Sequence, residues 1–261
     1  MARVKMTIAY IGTGFAGWQI QAVKGREQPH TVQGVLEDAL ADLLGSRVRV
    51  HASGRTDSGV HADAQVVHFD VDDSASGINW AGALQRRLPP EISIVEAELA
   101  DSDFHSRFSC RGKVYTYCLW LGRGYVPPRL KDFAWASGPL DISLMEQAAA
   151  VLIGEHDFAG FQNVGTPIED TVRVLESISH FPLPLPGEGR AGEDSPHLAW
   201  RFQGNGFLKQ MVRNLMGFLV YAGRGRLEAQ DALRVLESGD RTLLEFPTAP
   251  ACGLSLTKVL Y

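Results

Sequence analysis

Apolar residues stand at every second position near the start of the chain. Val4, Met6, Ile8 and Tyr10 predict a strand over residues 2–10. A glycine-rich loop covers residues 11–30. Thr31 then caps a helix whose apolar face, Val32, Val35, Leu36, Ala39, Leu40 and Leu43, repeats at helical spacing. Alternation returns at residues 47–53, with Val48 and Val50 on one face, and again at 65–71. A short helix over 79–88 stops at Pro89-Pro90, and 92–99 reads as a strand. The order β-α-β-β-α-β is that of a split βαβ unit, which packs two helices on one face of an antiparallel sheet.

The second half repeats this order more loosely. Strands are expected at 114–121, 172–181, 198–202 and 254–259, and helices at 143–153 and 207–221. The first of these helices would bury Leu144, Ala148, Val151 and Leu152. The connector at 182–197 is rich in Pro, Gly and Glu and is expected to be mobile. The expected fold class is therefore α+β, built of two tandem split-βαβ (ferredoxin-like) units, residues 1–103 and 104–261, with joined antiparallel sheets and a central cleft. Such a cleft is a common location for ligands.

Composition narrows the function. With 45% apolar and 21% charged residues, the 261-residue chain has an ordinary globular make-up. No apolar run reaches the roughly 20 residues that span a bilayer, and Met-Ala-Arg-Val-Lys leads straight into a strand pattern. Three cysteines without a CxxC pair argue against a disulfide scaffold or a zinc knuckle and fit a reducing cytoplasm. The net charge of −5 makes the surface as a whole no polyanion magnet, yet nineteen of the 25 basic residues are arginine. Arginine makes forked contacts to phosphate and stacks on bases. There is no HExxH, no P-loop, no dinucleotide fingerprint after a strand and no GxSxG.

Four segments can carry chemistry. In Gly54-Arg55-Thr56-Asp57-Ser58-Gly59-Val60-His61-Ala62 an aspartate lies in a glycine-flanked turn with an arginine two positions before it. Such a turn can aim a carboxylate as a nucleophile or electrostatic clamp, and it can equally be a plain turn between strands. Tyr115, in Arg111-Gly112-Lys113-Val114-Tyr115-Thr116-Tyr117, is an aromatic flanked by cations, which suits base stacking as well as a half-buried strand. Arg213 interrupts the apolar helix pattern after Gly206. If buried, it requires a carboxylate partner, and Asp57 would serve if the two halves meet. Phe104-His105-Ser106-Arg107-Phe108-Ser109 sets a cation among aromatics, in the manner of a nucleic-acid contact or a capped turn.

Taken in order, these segments resemble the tRNA pseudouridine synthase A family. The resemblance runs nearly end to end. It begins with Tyr10-Ile11-Gly12-Thr13-Gly14-Phe15-Ala16-Gly17-Trp18-Gln19 and Thr31-Val32-Gln33-Gly34-Val35-Leu36-Glu37. It continues through the Asp57 turn, the 104–109 segment, Tyr115-Thr116-Tyr117, Gly154-Glu155-His156-Asp157-Phe158 and Thr171-Val172-Arg173. It closes with Gly206-Phe207-Leu208, Met211-Val212-Arg213, Ala249-Pro250 and Gly253-Leu254. The resemblance implies an isomerase converting uridine to pseudouridine at positions 38, 39 and 40 of the tRNA anticodon stem-loop. It implies that Asp57 is the nucleophile, paired with Arg213, that Tyr115 contacts the target base, and that Arg55 helps flip the nucleotide. Arg107 joins the cations expected to bind tRNA. The family's lack of a metal or organic cofactor and its homodimeric state are implied in the same way, while the cytoplasmic setting rests on the cysteine usage. Two positions depart from the family pattern: Ile11 stands where aspartate is usual, and Ser58 where alanine is commoner.

Two other classes compete. A non-catalytic RNA-binding module of tandem split-βαβ units would explain Tyr115 and the arginines, but not a carboxylate that repels phosphate. A hydrolase with an aspartyl nucleophile would bring a second acid or a metal-binding carboxylate cluster, and the sequence near Asp57 has neither.

Overall fold

A computed structural model describes residues 1–21, 29–163, 170–185, 187–192 and 194–261. Part of the expected loop at 11–30, and two positions of the 182–197 connector, lie outside the described residues. In chain order the elements are β1 (Ala2–Tyr10), α1 (Val32–Leu44), β2 (His51–Ala52), β3 (His61–Val71), α2 (Trp80–Gln85), β4 (Ile92–Ala100) and β5 (Gly112–Trp120). They continue with β6 (Trp135–Ala136), α3 (Ile142–Ala150), β7 (Gly154–Asp157), β8 (Val172–Pro182), β9 (His197–Gly204), α4 (Met211–Gly223), α5 (Ala229–Ser238) and β10 (Leu254–Leu260). The chain is mixed α+β with mostly antiparallel strands. Among the described residues no helix is long and apolar enough to cross a membrane.

The chain divides into two compact units, Met1–Arg111 with Ser255–Tyr261, and Gly112–Leu254. In the first, β1 lies between β4 and β3, antiparallel to both. β2 adds antiparallel to β3, and β10 runs parallel to β3 where Ser255 meets His61. The alternation of β1 is directly visible in its burial: Val4, Met6, Ile8 and Tyr10 are buried and the residues between them are not. α1 starts at Thr31, whose Oγ1 accepts the Gly34 N–H at 3.2 Å, and buries Val32, Leu36 and Leu40. Trp80 of α2 meets Phe69 of β3 edge-on at 5.3 Å.

The first unit extends past the expected boundary at residue 103 because the following turn folds back onto it. Arg3 Nη1 donates to the Ser102 and Phe104 carbonyls at 2.8 Å each. Tyr261 Oη donates to the Ser106 carbonyl at 2.7 Å, and Arg111 N donates to Leu260 O at 2.8 Å.

The strand expected at 47–53 shrinks to His51–Ala52. Side chains of α1 take its backbone instead: Gln33 Nε2 donates to Val50 O at 3.1 Å, and Val50 N donates to Glu37 Oε1 at 3.0 Å. The neighbouring strand is longer than expected, starting at His61, because Tyr10 and Ser255 pair with its first residues.

In the second unit the antiparallel order is β5-β9-β8-β7, with β6 parallel to β5. The helix expected from residue 207 begins only at Met211, because Gln210 takes a left-handed φ of 59° and ends the preceding loop. α5 was not expected from the pattern. Its capping box, in which Glu228 N donates to Asp231 Oδ2 at 2.9 Å, and its buried Ala232 and Val235 are both in the sequence. Phe161, Phe218 and Phe246 meet at centroid separations of 5.5–6.0 Å and form an aromatic core beside α4.

His68, buried on β3, accepts the Ser106 N–H at its Nδ1 at 3.2 Å. Burial, then the nearby His105, Arg3 and His51, push its pKa down to about 4 from the ordinary 6.5, against an opposing pull from Asp70. Between these values the unfolded chain takes up a proton that the folded chain refuses. The stability contributed by neutral His68 is therefore complete above the unfolded value and is lost progressively as pH falls towards the folded one. Melting temperature is expected to fall from pH 7 to pH 5 and to fall less in His68→Asn, whose amide oxygen can still accept from Ser106. Parallel pH profiles for the two proteins would count against this account.

Candidate active site

Asp57 stands at the first position of a four-residue turn. Val60 N donates to Asp57 O at 3.1 Å, and Gly59 supplies the positive φ of 81° that the third position of a type II turn requires. The residues around it are tied down individually. Ser53 N donates to Val66 O at 2.8 Å, and Ser53 Oγ donates to Gln65 Oε1 at 2.6 Å. Gln65 Nε2 donates in turn to Gly54 O at 2.8 Å. The turn thus enters from β2 and leaves into β3 with both ends fixed.

A second layer comes from residues 12–18, the segment directly after β1. Tyr10 Oη and Thr56 Oγ1 share a buried hydrogen bond of 2.8 Å, and Trp18 N donates to Thr56 O at 3.0 Å. Ser58 Oγ donates to Phe15 O at 3.1 Å, and Gly12 N donates to His61 Nδ1 at 3.1 Å. His61 therefore accepts at that nitrogen and is buried. Burial pushes the Tyr10 phenol up to about 12, while its contacts with Thr56 and Gln65 pull the other way, so it stays a neutral partner of Thr56. The segment is itself anchored on α1, where Val32 N donates to Gly17 O at 3.2 Å and Gln33 N to Trp18 O at 3.0 Å.

The backbones approach so closely that Gly12 and Gly17 have no room for a side chain; a Cβ on Gly12 would lie 2.0 Å from Val60 O. A Cβ on Gly17, which already has a φ of +92°, would lie 2.8 Å from Thr56 O and 3.1 Å from the Asp57 carbonyl carbon. Ile11, the departure from the family pattern, is 40% exposed and its N–H donates to Glu91 O at 2.9 Å, so it stays outside this packing.

The first unit also carries Arg55 and Arg107. Arg55 is exposed two positions before Asp57. Arg107 is exposed as well, on a different turn, with its guanidinium 5.8 Å from the Phe108 ring centroid. Tyr115 and Arg213 belong to the second unit. Tyr115 is buried in β5 opposite Phe202 and meets Phe207 edge-on at 5.2 Å. Tyr117 on the same strand has a structural task, because its hydroxyl donates to Pro250 O at 2.7 Å and burial raises its pKa.

Arg213 is half-buried on the first turn of α4. Its Nε donates to Ala249 O at 2.7 Å, and Ala249 N donates back to Arg213 O at 3.0 Å. The next residue, Asn214, is fully buried in a network that sequence patterning missed. Asn214 Nδ2 donates to Phe161 O at 2.7 Å and to Asn163 Oδ1 at 3.0 Å, and Asn214 Oδ1 accepts from Arg241 Nη1 at 2.7 Å and Thr248 Oγ1 at 2.8 Å. Arg241 also bonds Asn163, and its pKa is lowered by burial. A polar residue in an otherwise apolar helix, Asn214 beside Arg213, was the available signal.

Gly17→Ala is expected to destabilise the protein by about 1–3 kcal/mol through backbone strain and displacement of the turn. Gly14→Ala, at an exposed position with open space for a Cβ, is expected to leave the melting temperature unchanged. Thermal denaturation followed by circular dichroism checks both, and equal shifts would mean that the close approach is not what holds the turn.

Comparison with known proteins agrees in pattern and length. Residues 6–109 and 148–261 match the profile of the family described as tRNA pseudouridine synthase. Asp57, Arg55, Arg107 and Arg213 fall within the matched segments, and Tyr115 lies between them. The protein named tRNA pseudouridine synthase A of Solidesulfovibrio magneticus is 50% identical over 264 residues, covering 100% of this chain and 92% of its own length. That of Oleidesulfovibrio alaskensis is 48% identical over 271 residues, with 100% and 97% covered. A more distant relative of the same name, from Geobacillus kaustophilus, is 42% identical over 260 residues, with 99% and 94% covered.

Proposed function

We propose that this chain, which belongs to the tRNA pseudouridine synthase family and is an isomerase, acts on uridines 38, 39 and 40 of the tRNA anticodon stem-loop, with Asp57 as nucleophile. The observation that carries the assignment is the Asp57 turn itself: it is bonded at both ends and clamped through Thr56 from two sides. A turn serving only to join two strands has no need of that second layer. A carboxylate with a fixed position is what attack on a sugar or a base requires. Membership of an enzyme family sets aside the non-catalytic RNA-binding module.

The reaction breaks the N1–C1′ bond, turns the uracil and forms a C5–C1′ bond. The C5 proton leaves to solvent and N1 takes one up, so nothing is oxidised or hydrolysed overall. In this reading the base leaves its stack, at a cost of a few kcal/mol. Arg55 fills the gap and Tyr115 contacts the flipped base, with base–aromatic stacking worth about 1–3 kcal/mol. Arg107 holds phosphate. Arg213, fixed by Ala249 and by the polar network behind it, stands as the partner of the Asp57 carboxylate. The reading requires the units, as tandem split-βαβ halves with joined sheets, to bring Tyr115 and Arg213 to Asp57 in a central cleft. Attack at C1′, attack at C6 and support of a glycal-like species all begin from the same ordered carboxylate. A homodimer in the cytoplasm, with one tRNA across both subunits, completes the reading.

The test uses an anticodon-arm transcript tritiated at C5 of uridine. The wild type is expected to release tritium to water, and Asp57→Asn to release none while binding the transcript within a few-fold of the wild type. A parallel loss of binding would make Asp57 structural. Arg213→Ala is expected to lower both turnover and stability, the latter by about 1–3 kcal/mol, because the Ala249 carbonyl loses a charged donor. Unchanged turnover in that variant would remove Arg213 from the site.

A further inference from the structure

Phe108 is 78% exposed, unusual for an aromatic ring on a well-held turn. The turn is closed by Ser109 N donating to His105 O at 2.8 Å and His105 N donating to Ser109 Oγ at 2.9 Å. Arg107 N and Phe108 N both point at His105 Nδ1, at 3.1 and 3.3 Å. Ser106 between them is fully buried, its Oγ donating to His51 O at 2.8 Å. The exposure of Phe108 is therefore imposed by a closed hydrogen-bonded frame.

Beneath the ring, three imidazoles form a contiguous chain of ring contacts, edge-on between His105 and His68 and stacked between His68 and His51. His105 lies 4.3 Å from Phe108, His68 lies 4.5 Å from His105, and His51 stacks on His68 at 5.0 Å and 20°. Their arrangement is not that of metal ligands, since among the described residues no such group could hold an ion. Burial and nearby cations depress His105 and His68, so both are neutral at physiological pH. Arg107 forms no ion pair among the described residues, which leaves its guanidinium for an outside anion. The other exposed large apolar side chains of the first unit, Met1, Ile11, Val95 and Leu99, are aliphatic, and Val95 and Leu99 on β4 stand beside Glu96 and Glu98, which repel phosphate. Among the described residues of the first unit, Arg107 and Phe108 combine a largely exposed aromatic ring with a cation, as one nucleotide requires.

We propose that Phe108 is a stacking site for an unpaired base of the bound tRNA, apart from the base undergoing reaction, with Arg107 on the adjoining phosphate. The proposal rests on the tRNA reading above and adds a contact to it. It is tested with Phe108→Ala and Phe108→Trp in the full-length protein. Phe108→Ala is expected to weaken binding of a tRNA transcript roughly 5- to 150-fold, the range given by loss of one base–aromatic stack, with the loss falling on KM rather than on kcat. Phe108→Trp should keep the affinity, and its added indole emission should be quenched by the transcript and not by heparin, a polyanion without bases. Unchanged affinity in Phe108→Ala overturns the proposal, as does equal quenching by heparin. A change in sedimentation mass with affinity unchanged also overturns it, by making the ring a protein–protein contact. If the wild type bound tRNA and quenching were specific while no tritium was released, the stacking site would stand and the activity reading would fall.

Discussion

Thr56 is the point on which the first unit converges. Its hydroxyl meets the buried Tyr10 phenol at the end of the first strand, and its carbonyl receives the Trp18 amide from the loop that follows. That loop in turn holds the start of α1 through Gly17 and Trp18. One residue next to Asp57 thus links a strand, a loop and a helix that are distant in sequence. α1 is connected to the Asp57 turn through two successive bonds, Gln33 N to Trp18 O and Trp18 N to Thr56 O, each 3.0 Å. Catalytic groups need positions held within a few tenths of an ångström, and this kind of cross-linking supplies it.

In the second unit Arg213 is held in a different way. An arginine on the first helical turn has long, flexible torsions. Here its Nε and its own carbonyl are both engaged by Ala249. The helix start cannot drift, because Asn214 is held from four directions. Buried polar networks of this sort constrain geometry when every member is satisfied. Arg241 stacks over Phe246 at 5.0 Å and joins this network to the aromatic core. The order around Arg213 therefore reaches back to the hydrophobic packing of the whole unit.

How much of this was legible beforehand follows from what periodicity can express. The strand from Ala2 to Tyr10 and the helix after Thr31 were readable because each buries one continuous face. The segment before Asp57 was misread because its alternation matched a strand, while two side chains of α1 took its backbone hydrogen bonds. The start of α4 was misread because Phe207 has helical spacing with Met211 but lies in a loop, packed on Tyr115. The Asp57 turn was legible as a motif, yet its support by Tyr10, Gly12 and Gly17 was not. Those contacts connect residues some forty to fifty positions apart, which no local pattern reports.

The return of β10 to the first unit has a consequence for how the protein is made. The chain leaves that unit at Arg111 and rejoins it at Ser255, so the second unit is synthesised as an insertion within the first. Ser255 Oγ bonds Asp63 across 192 residues of sequence, and Tyr261 locks the turn that carries Phe108. On the ribosome the sheet that bears Asp57 must wait with β3 incompletely flanked until the inserted unit has emerged. Contacts of such long range form slowly. During that interval the exposed edge of β3 is the part of the nascent chain most in need of shielding from other strands.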